Sequence, residues 1–303
     1  MKSRDLLLAL LAALPGLAFA APPKIAVIAA DASLRTAIVQ SGAQVIEAGT
    51  LGGADVLVLQ SADAASLGKL DRAAIEAFAA KGGGLVVIGG AIGAGEWLKP
   101  LAGGAWTENS RKFSSQMMLF PLTDAYPITR DASAFDINDE TLYDLDLAPS
   151  ITVLASAFTP KVTSAKKDNR APEQLDRANV YDVQPQMWAY EGADKHRAFV
   201  LLQGGAESLK HVSIRTFILR GIAWAAKREN VDELCAKADL ATLRYPQGGP
   251  RPAAETVKSF DLHPGFKATA IASEPLINKP IADRKSTRLN SSHLRLSRMP
   301  SSA

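Results

Sequence analysis

Three continuous apolar runs near the start of the chain predict strands that are buried on both faces. They are "KIAVIAA" (24–30), "DVLVLQ" (55–60) and "GLVVIGG" (84–90). Apolar residues with helical spacing follow each of the first two runs. They predict one short helix that ends at Gly42 and a second that ends at Gly82. The second helix places four apolar residues on one face: Leu67, Leu70, Ile75 and Phe78. Strands that alternate with helices predict a parallel sheet covered by helices on both faces.

The later pattern is less regular. Short strands are predicted at 135–137 ("FDI") and 151–158, and a hairpin at 186–203 that turns at 192–194. The polar segment 163–179 predicts a surface loop. A long helix follows at 208–230, with a broad apolar face formed by Ile214, Phe217, Ile218, Gly221, Ile222 and Trp224. The Pro/Gly-rich stretch "RYPQGGPRPAAE" then predicts a linker and a domain boundary.

The first 20 residues have the pattern of a secretory signal peptide. Lys2 and Arg4 precede a short apolar core, and Ala18-Phe19-Ala20 forms a small-residue cleavage site. The alternative is an uncleaved membrane anchor, which the break at Pro15-Gly16 disfavours because a spanning helix needs about 20 apolar residues. We therefore expect a mature chain that begins at Ala21 and is periplasmic or secreted, with no membrane contact after cleavage.

The charge of the chain is concentrated at its ends. The formal net charge is +3, but residues 283–303 alone carry five basic side chains and one acidic one. The body between leader and tail is mildly acidic, so we expect no nucleic-acid partner for it. Cys235 is the single cysteine, which excludes an intrachain disulfide and an all-cysteine metal site.

Four stretches in order resemble the trehalose-utilisation (ThuA-like) family, whose fold is a variant of the class I glutamine amidotransferase α/β fold. They are "GGGLVVIGGAIGAGEWLKPLAGG", "YPITRDASAFDINDETLYDLDLAPSITVLA", "PQMWAYE" and "FILRGIAWAAKREN". The resemblance runs from about Lys24 to Asn230. It implies a flavodoxin-like three-layer sandwich with a mostly parallel sheet, which we assign to residues 21–235, followed by a linker at 236–259.

The C-terminal part resembles something else. Residues 260–282 resemble the opening strand of a propeller-type, glucose/sorbosone-dehydrogenase-like domain, which needs several blades. In the tail, "DRKSTRLNSSH" and "SRMPSSA" resemble an in-frame translation of a short-read sequencing adapter. We therefore expect 283–303 to be non-native and the native C-terminal domain to be missing. The alternative is a basic arm that binds nucleic acid or a membrane surface.

The resemblance also indicates which catalytic groups are absent. Class I amidotransferases carry a cysteine nucleophile on a turn after a central strand, where this chain has Gly89-Gly90. Family members typically hold histidines at positions that are here Gly89, Tyr126 and Gly205. We expect no glutaminase activity, no metal and no cofactor, and Cys235 is predicted to be an inert thiol. Three histidines are predicted to be structural or solvated: His196, His211 and His263.

Asp139 and Glu140, with Tyr143, match the acidic segment of the family. The two carboxylates either bind sugar hydroxyls or supply a base, or Asp139 merely caps the turn that "TLYDL" begins. The glycines from Gly89 to Gly95 either present backbone N–H groups to a ligand or allow tight strand–helix packing. Trp188 and Trp224 either stack on a sugar ring or pack in the core.

Ligands in such sheets bind beyond the carboxyl ends of the strands. That edge is predicted to gather Asp31, Gly89, Gly90, Tyr126, Asp139, Glu140 and Gln203. Ligand contacts are also predicted for Tyr143, Trp188 and Gly205. Two hypotheses follow: a carbohydrate-binding or accessory module of a larger periplasmic sugar-oxidising protein, or an enzyme that acts on a sugar or keto-sugar. Both take a small-molecule carbohydrate as partner.

Overall fold

The computed structural model describes residues 21–46, 51–61, 71–121, 125–160 and 181–244, and the single positions 257, 265 and 267–269. The predicted leader, the polar segment 163–179, the tail 283–303, His263 and the helix positions Leu67 and Leu70 lie outside these residues. The chain separates into two compact units, Met1–Gly248 and Gly249–Ala303. Only single positions of the second unit are described, so the fold below is that of the first.

Eleven strands and five α-helices form the described part of the first unit. The strands are β1 (Lys24–Ile28), β2 (Gln44–Ile46), β3 (Val56–Ser61), β4 (Gly84–Gly89), β5 (Gly104–Ala105), β6 (Arg111–Pro121), β7 (Phe135–Tyr143), β8 (Asp146–Leu147), β9 (Thr152–Pro160), β10 (Tyr181–Glu191) and β11 (Arg197–Leu201). The helices are α1 (Ala32–Gln40), α2 (Arg72–Ala80), α3 (Lys99–Ala102), α4 (Val212–Ala225) and α5 (Lys237–Thr242).

One mixed sheet of nine strands organises the domain, in the order β2-β1-β3-β4-β11-β10-β9-β6-β7. The neighbouring strands β2, β1, β3, β4 and β11 run parallel to one another. The remaining pairs, β11–β10, β10–β9, β9–β6 and β6–β7, are antiparallel. The three buried strands predicted from apolar runs are β1, β3 and β4, and the predicted hairpin is β10–β11. A separate two-stranded sheet pairs β5 with β8.

Alternate residues of the parallel strands enter two different cores, one on each face of the sheet. Ile25 and Val27 of β1 join the core that contains residues of α1 and α4. Ala26, between them, joins the core that contains residues of α2 and α3. Each fully buried Val, Leu or Ile contributes about 1.5–3 kcal/mol, so both faces must be covered. The domain is thus the predicted flavodoxin-like three-layer α/β sandwich.

Three of the helices, α1, α2 and α4, begin at residues whose side chains accept backbone N–H bonds. Asp31 caps α1 by accepting from Ser33 N at 2.6 Å, and Asp71 caps α2 by accepting from Ala74 N at 3.1 Å. His211 caps α4, with Nδ1 accepting from Ser213 N at 3.2 Å. The predicted bounds of a single helix at 208–230 are therefore wrong. A 3₁₀ turn at Ser208–Lys210 precedes the cap, and α4 ends at Ala225.

The largest error of the sequence analysis concerns β7. A short strand at 135–137 was predicted, with a turn starting at "TLYDL", but the strand continues to Tyr143. It pairs with β6 from Phe135↔Leu119 to Tyr143↔Arg111. Acidic residues are depleted in strands, yet this long antiparallel ladder overrides their local preference. Asp139 therefore lies inside a strand and caps no turn.

Arg220 connects three segments near the end of the domain through hydrogen bonds, and its side chain is only 2% exposed. Its Nε donates to Asp232 Oδ1 at 2.6 Å, and its Nη1 donates to the carbonyl oxygens of Ile128 (3.1 Å) and Arg130 (2.7 Å). Helix α5 and the fully buried Leu243 continue this packing within the region predicted as linker. Ordered structure thus extends through 244.

Candidate functional site

A cavity of about 690 Å³ lies where four parallel strands end. It opens at the carboxyl ends of β1, β3, β4 and β11, which is the edge where open α/β sheets bind ligands. Its lining consists of Ala29, Ala30, Asp31, Gln60, Gly89, Gly90, Lys112, Asp139, Glu140, Leu142, Leu202, Gly204, Gly205 and Ala206. We call this space the sheet-edge cavity.

Asp139 holds the loop after β11 with its carboxylate. Oδ2 accepts hydrogen bonds from the backbone N–H groups of Gly204 and Gly205, both at 3.0 Å. Oδ1 accepts from the N–H of Glu140 at 2.7 Å. Hydrogen bonds to a charged acceptor are worth about 1.5–3 kcal/mol each. Asp139 is thus not the predicted turn cap but the side chain that positions one wall of the cavity.

The β6–β7 hairpin brings Asp139 to this place, because most of β6 pairs with β7 and its last two residues pair with β9. Among the described residues, β6 pairs with β9 through Phe120 and Pro121, while Arg111 to Leu119 pair with β7. The hairpin is fixed a second time by Gln186 of β10, whose Nε2 donates to Leu142 O at 2.9 Å. Residues of an outer strand therefore reach a site formed mainly by central strands.

Gln60, at the end of β3, joins two walls of the cavity. Its Oε1 accepts from the backbone N–H of Asp31 at 2.8 Å, and its Nε2 donates to Gly204 O at 2.8 Å. Both groups of the amide are thus used to connect the ends of β1 and β11. The sequence analysis did not single out Gln60; a polar residue ending an otherwise apolar strand was the available signal.

Lys112 and Glu140 face the cavity as an ion pair, with Nζ 2.9 Å from Oε1. Their side chains are 58% and 45% exposed, so the pair contributes little to stability and stays accessible to a ligand. Lys112 lies on β6, and no sequence pattern had predicted that strand.

Glycines form the floor of the cavity at the ends of β4 and β11. Gly89 adopts φ 59°, which favours glycine, and a Cβ there would lie 3.3 Å from Gly204 Cα. A Cβ on Gly205 would lie 2.9 Å from Asp139 Oδ1. Among the described residues that line the cavity there is no Ser, Thr, Cys, His or Tyr. The lining offers carboxylate, amide and ammonium groups, but none of the usual hydroxyl, thiol or imidazole nucleophiles.

Six of the predicted residues lie together at the cavity: Asp31, Gly89, Gly90, Asp139, Glu140 and Gly205. Four others do not line it. Trp188 is fully buried and donates from Nε1 to Ala102 O at 2.8 Å. Tyr143 is buried edge-on against Phe113. Gln203 is buried and donates to Gln186 Oε1 at 2.8 Å.

Tyr126, the fourth, packs against Trp224 near Arg197, which begins β11. The cavity lies at the other end of that strand, so the expected position of Tyr126 was wrong. Burial raises the pKa of Tyr126 to about 12, with a smaller contribution from the Glu191 carboxylate, while Arg197 opposes the shift. The phenol stays protonated and cannot replace a histidine as a base near neutral pH.

The described histidines and the cysteine lie outside the cavity lining. His196 is buried with Nε2 2.8 Å from Leu101 O, and His211 caps α4 and stacks on Phe135. Burial, together with the Arg215 guanidinium, lowers the pKa of His211. Burial raises the pKa of Cys235 to about 12, so its thiol is a poor nucleophile.

Neither a metal cluster nor a membrane span is found in the part of the chain that the structure describes. No three His, Cys, Asp or Glu side chains there are grouped so that they could hold an ion. No helix among the described residues combines the length and apolar character needed to cross a bilayer.

The fold and the cavity define a flavodoxin-like α/β domain with a ligand-sized space at the carboxyl edge of its sheet. The family model for ThuA, described as trehalose utilisation, matches residues 20–225, and the chain belongs to this family. A search of curated proteins gave no match.

Solved structures with similar folds share little sequence with this chain. A ThuA-like protein from Bacteroides uniformis is 14% identical, covers 69% of this chain and 95% of its own, and gives a TM-score of 0.44. A glutamine amidotransferase from Thermotoga maritima is 12% identical over 74% of this chain and 90% of its own, with a TM-score of 0.37.

Proposed function

We propose that this domain is an exported carbohydrate-binding or accessory module of a larger periplasmic sugar-oxidising protein. The observation that carries the proposal is the sheet-edge cavity, in which Glu140 and Asp31 bring carboxylates to a space of about 690 Å³. Sugar hydroxyls are hydrogen-bond donors, and charged acceptors bind them more strongly than neutral ones do. The small apolar residues beside these carboxylates, such as Ala29, Ala30 and Leu142, suit the C–H faces of a sugar ring.

An enzyme that acts on a sugar or keto-sugar is the second candidate, because Glu140 reaches the cavity and a carboxylate can act as a base. The lack of a nucleophile among the described lining residues favours binding over catalysis. The two candidates differ in one measurement. Incubation of the full chain with mono- and disaccharides, followed by chromatography, is expected to return every sugar unchanged, whereas turnover would support the enzyme.

The module assignment rests on features of the sequence. The segment 260–282 resembles the start of a propeller-type sugar dehydrogenase domain, and the signal pattern of residues 1–20 supports export. Both are consistent with a family whose description is trehalose utilisation.

Glu140→Ala is expected to weaken the binding of a neutral sugar roughly ten- to a hundred-fold, because losing a charged acceptor costs about 1.5–3 kcal/mol. The melting temperature should hardly change, since the Lys112–Glu140 pair is exposed. Titration calorimetry and a thermal melt of the full chain measure the two effects. Glu191→Ala is the matched control, because Glu191 pairs with Arg197 at 3.2 Å outside the cavity. Equal sugar affinities for both variants and the unmutated protein would contradict the proposed site.

Export has its own test. Expressed with its leader in a Gram-negative host, the protein should accumulate in the periplasm with Ala21 at its N-terminus. N-terminal sequencing of the periplasmic fraction measures this. A cytoplasmic product that keeps Met1 would contradict the assignment, and substituting Ala20 by a bulky residue should block processing without altering the mature domain.

A further inference from the structure

We propose that the Lys112–Glu140 ion pair makes the sheet-edge cavity selective for neutral sugars and excludes sugars that carry a carboxylate or phosphate. The inference deepens the proposed function and rests on it, because it names the charge class of ligand that the same cavity accepts. It also assigns Glu140 a second role, as the residue that neutralises the cation of the cavity.

The charges around the cavity are unequal. Among the described residues that line it, three carry carboxylates, Asp31, Asp139 and Glu140, whereas Lys112 alone carries an ammonium group. At neutral pH carboxylates are ionised and lysines protonated, so the lining has a negative excess. A ligand anion in this space faces more repulsive than attractive charges at short range.

Lys112 is the group that could reverse this preference, but it is already paired. Its Nζ lies 2.9 Å from Glu140 Oε1. An anionic ligand would have to share Lys112 with Glu140, whose negative charge would then lie beside the ligand and repel it. A neutral sugar does not have to, because its hydroxyls can donate to Glu140 while the ion pair remains.

Asp139 and Asp31 do not relieve the negative excess. Asp139 accepts three backbone N–H bonds and Asp31 accepts one from Ser33, so both carboxylates are fixed at the cavity wall. Within the part of the chain that the structure describes, neither carboxylate forms an ion pair with Lys112, the cation of the lining. Glu140 is therefore the carboxylate whose removal both lowers the negative charge and frees Lys112.

The test compares glucose with glucuronate, which differ in the group at C6, by titration calorimetry on the full chain. The unmutated protein should bind glucuronate at least tenfold more weakly than glucose, and the difference should shrink at high salt because exposed charges are screened. Glu140→Gln keeps the side-chain shape and an oxygen acceptor but removes the charge. This variant should bind glucuronate roughly tenfold more tightly than the unmutated protein does.

Asp146→Asn is the matched control. Asp146 pairs with Lys99 at 2.7 Å, and neither residue lines the cavity, so the substitution changes the net charge by the same amount elsewhere. It should leave both affinities unchanged. Equal binding of glucose and glucuronate by the unmutated protein, or no gain for Glu140→Gln over Asp146→Asn, overturns the inference while the carbohydrate site stands. Absence of binding for both sugars in every variant overturns the proposed function and the inference together.

Discussion

Asp139→Ala is expected to lower the free energy of unfolding by about 2–4 kcal/mol and to weaken ligand binding at the same time. The carboxylate accepts three backbone N–H bonds, and its loss leaves the donors of Gly204 and Gly205 without this partner. An unmade hydrogen bond at a partly buried donor costs about 1–3 kcal/mol. The loop after β11 forms one wall of the cavity, so the site should loosen with it.

Urea unfolding and hydrogen exchange measure this effect. Exchange at the amides of Gly204 and Gly205 should accelerate in Asp139→Ala. The exposed Asn138, next to it on β7, provides the control, since Asn138→Ala should change stability by less than about 0.5 kcal/mol. A variant that lost sugar binding but melted like the unmutated protein would show that Asp139 contacts the ligand and does not position the loop.

Arg220→Met is expected to cost about 3–5 kcal/mol of stability, because it breaks a buried ion pair and leaves buried carbonyl oxygens without their donor. Arg220 is 2% exposed and donates to Asp232 and to the carbonyls of Ile128 and Arg130. Methionine fills most of the volume but donates nothing.

Chemical denaturation of the full chain tests the Arg220 prediction. The slope of the unfolding free energy against denaturant concentration should be the same for the variant and the unmutated protein. Arg72→Met is a suitable comparison because Arg72 pairs with Glu76 at 2.7 Å on the surface of α2, where such pairs are worth about 0.3–0.5 kcal/mol. If the two variants lose similar stability, the buried network around Arg220 contributes no more than a surface pair.

Three central strands and the sheet edge of the candidate site could be predicted from local patterns. Apolar runs predicted β1, β3 and β4, since strands buried on both faces need continuous apolar residues. Gly89 and Gly90 could be placed at the ligand edge because a strand that ends in glycines before a helical turn has few alternatives. Asp139 and Glu140 were found through the family resemblance, but the extent of β7 was not.

The remaining features depend on contacts between distant parts of the chain. Gln60 bonds Gly204, which lies 144 residues away, so no local window could indicate its role. Lys112 reaches the cavity because β6 pairs with β7 along most of its length, and the pairing of two strands cannot be read from a single segment. Trp188 could not be assigned from sequence because an aromatic residue suits a core and a sugar site equally well. Tyr126 and Tyr143 were assigned through family motifs, which do not indicate whether a side chain is buried.

The contact between Gly205 and Asp139 also limits how this site can evolve. A histidine introduced at 205 would place its Cβ 2.9 Å from Asp139 Oδ1, so the aspartate would have to move. Losing the aspartate first releases the loop that must hold the new histidine. Each single step passes through a destabilised protein, and the two changes are epistatic. A side chain larger than hydrogen at 205 is therefore expected to be tolerated only together with a second substitution that replaces the three hydrogen bonds of Asp139.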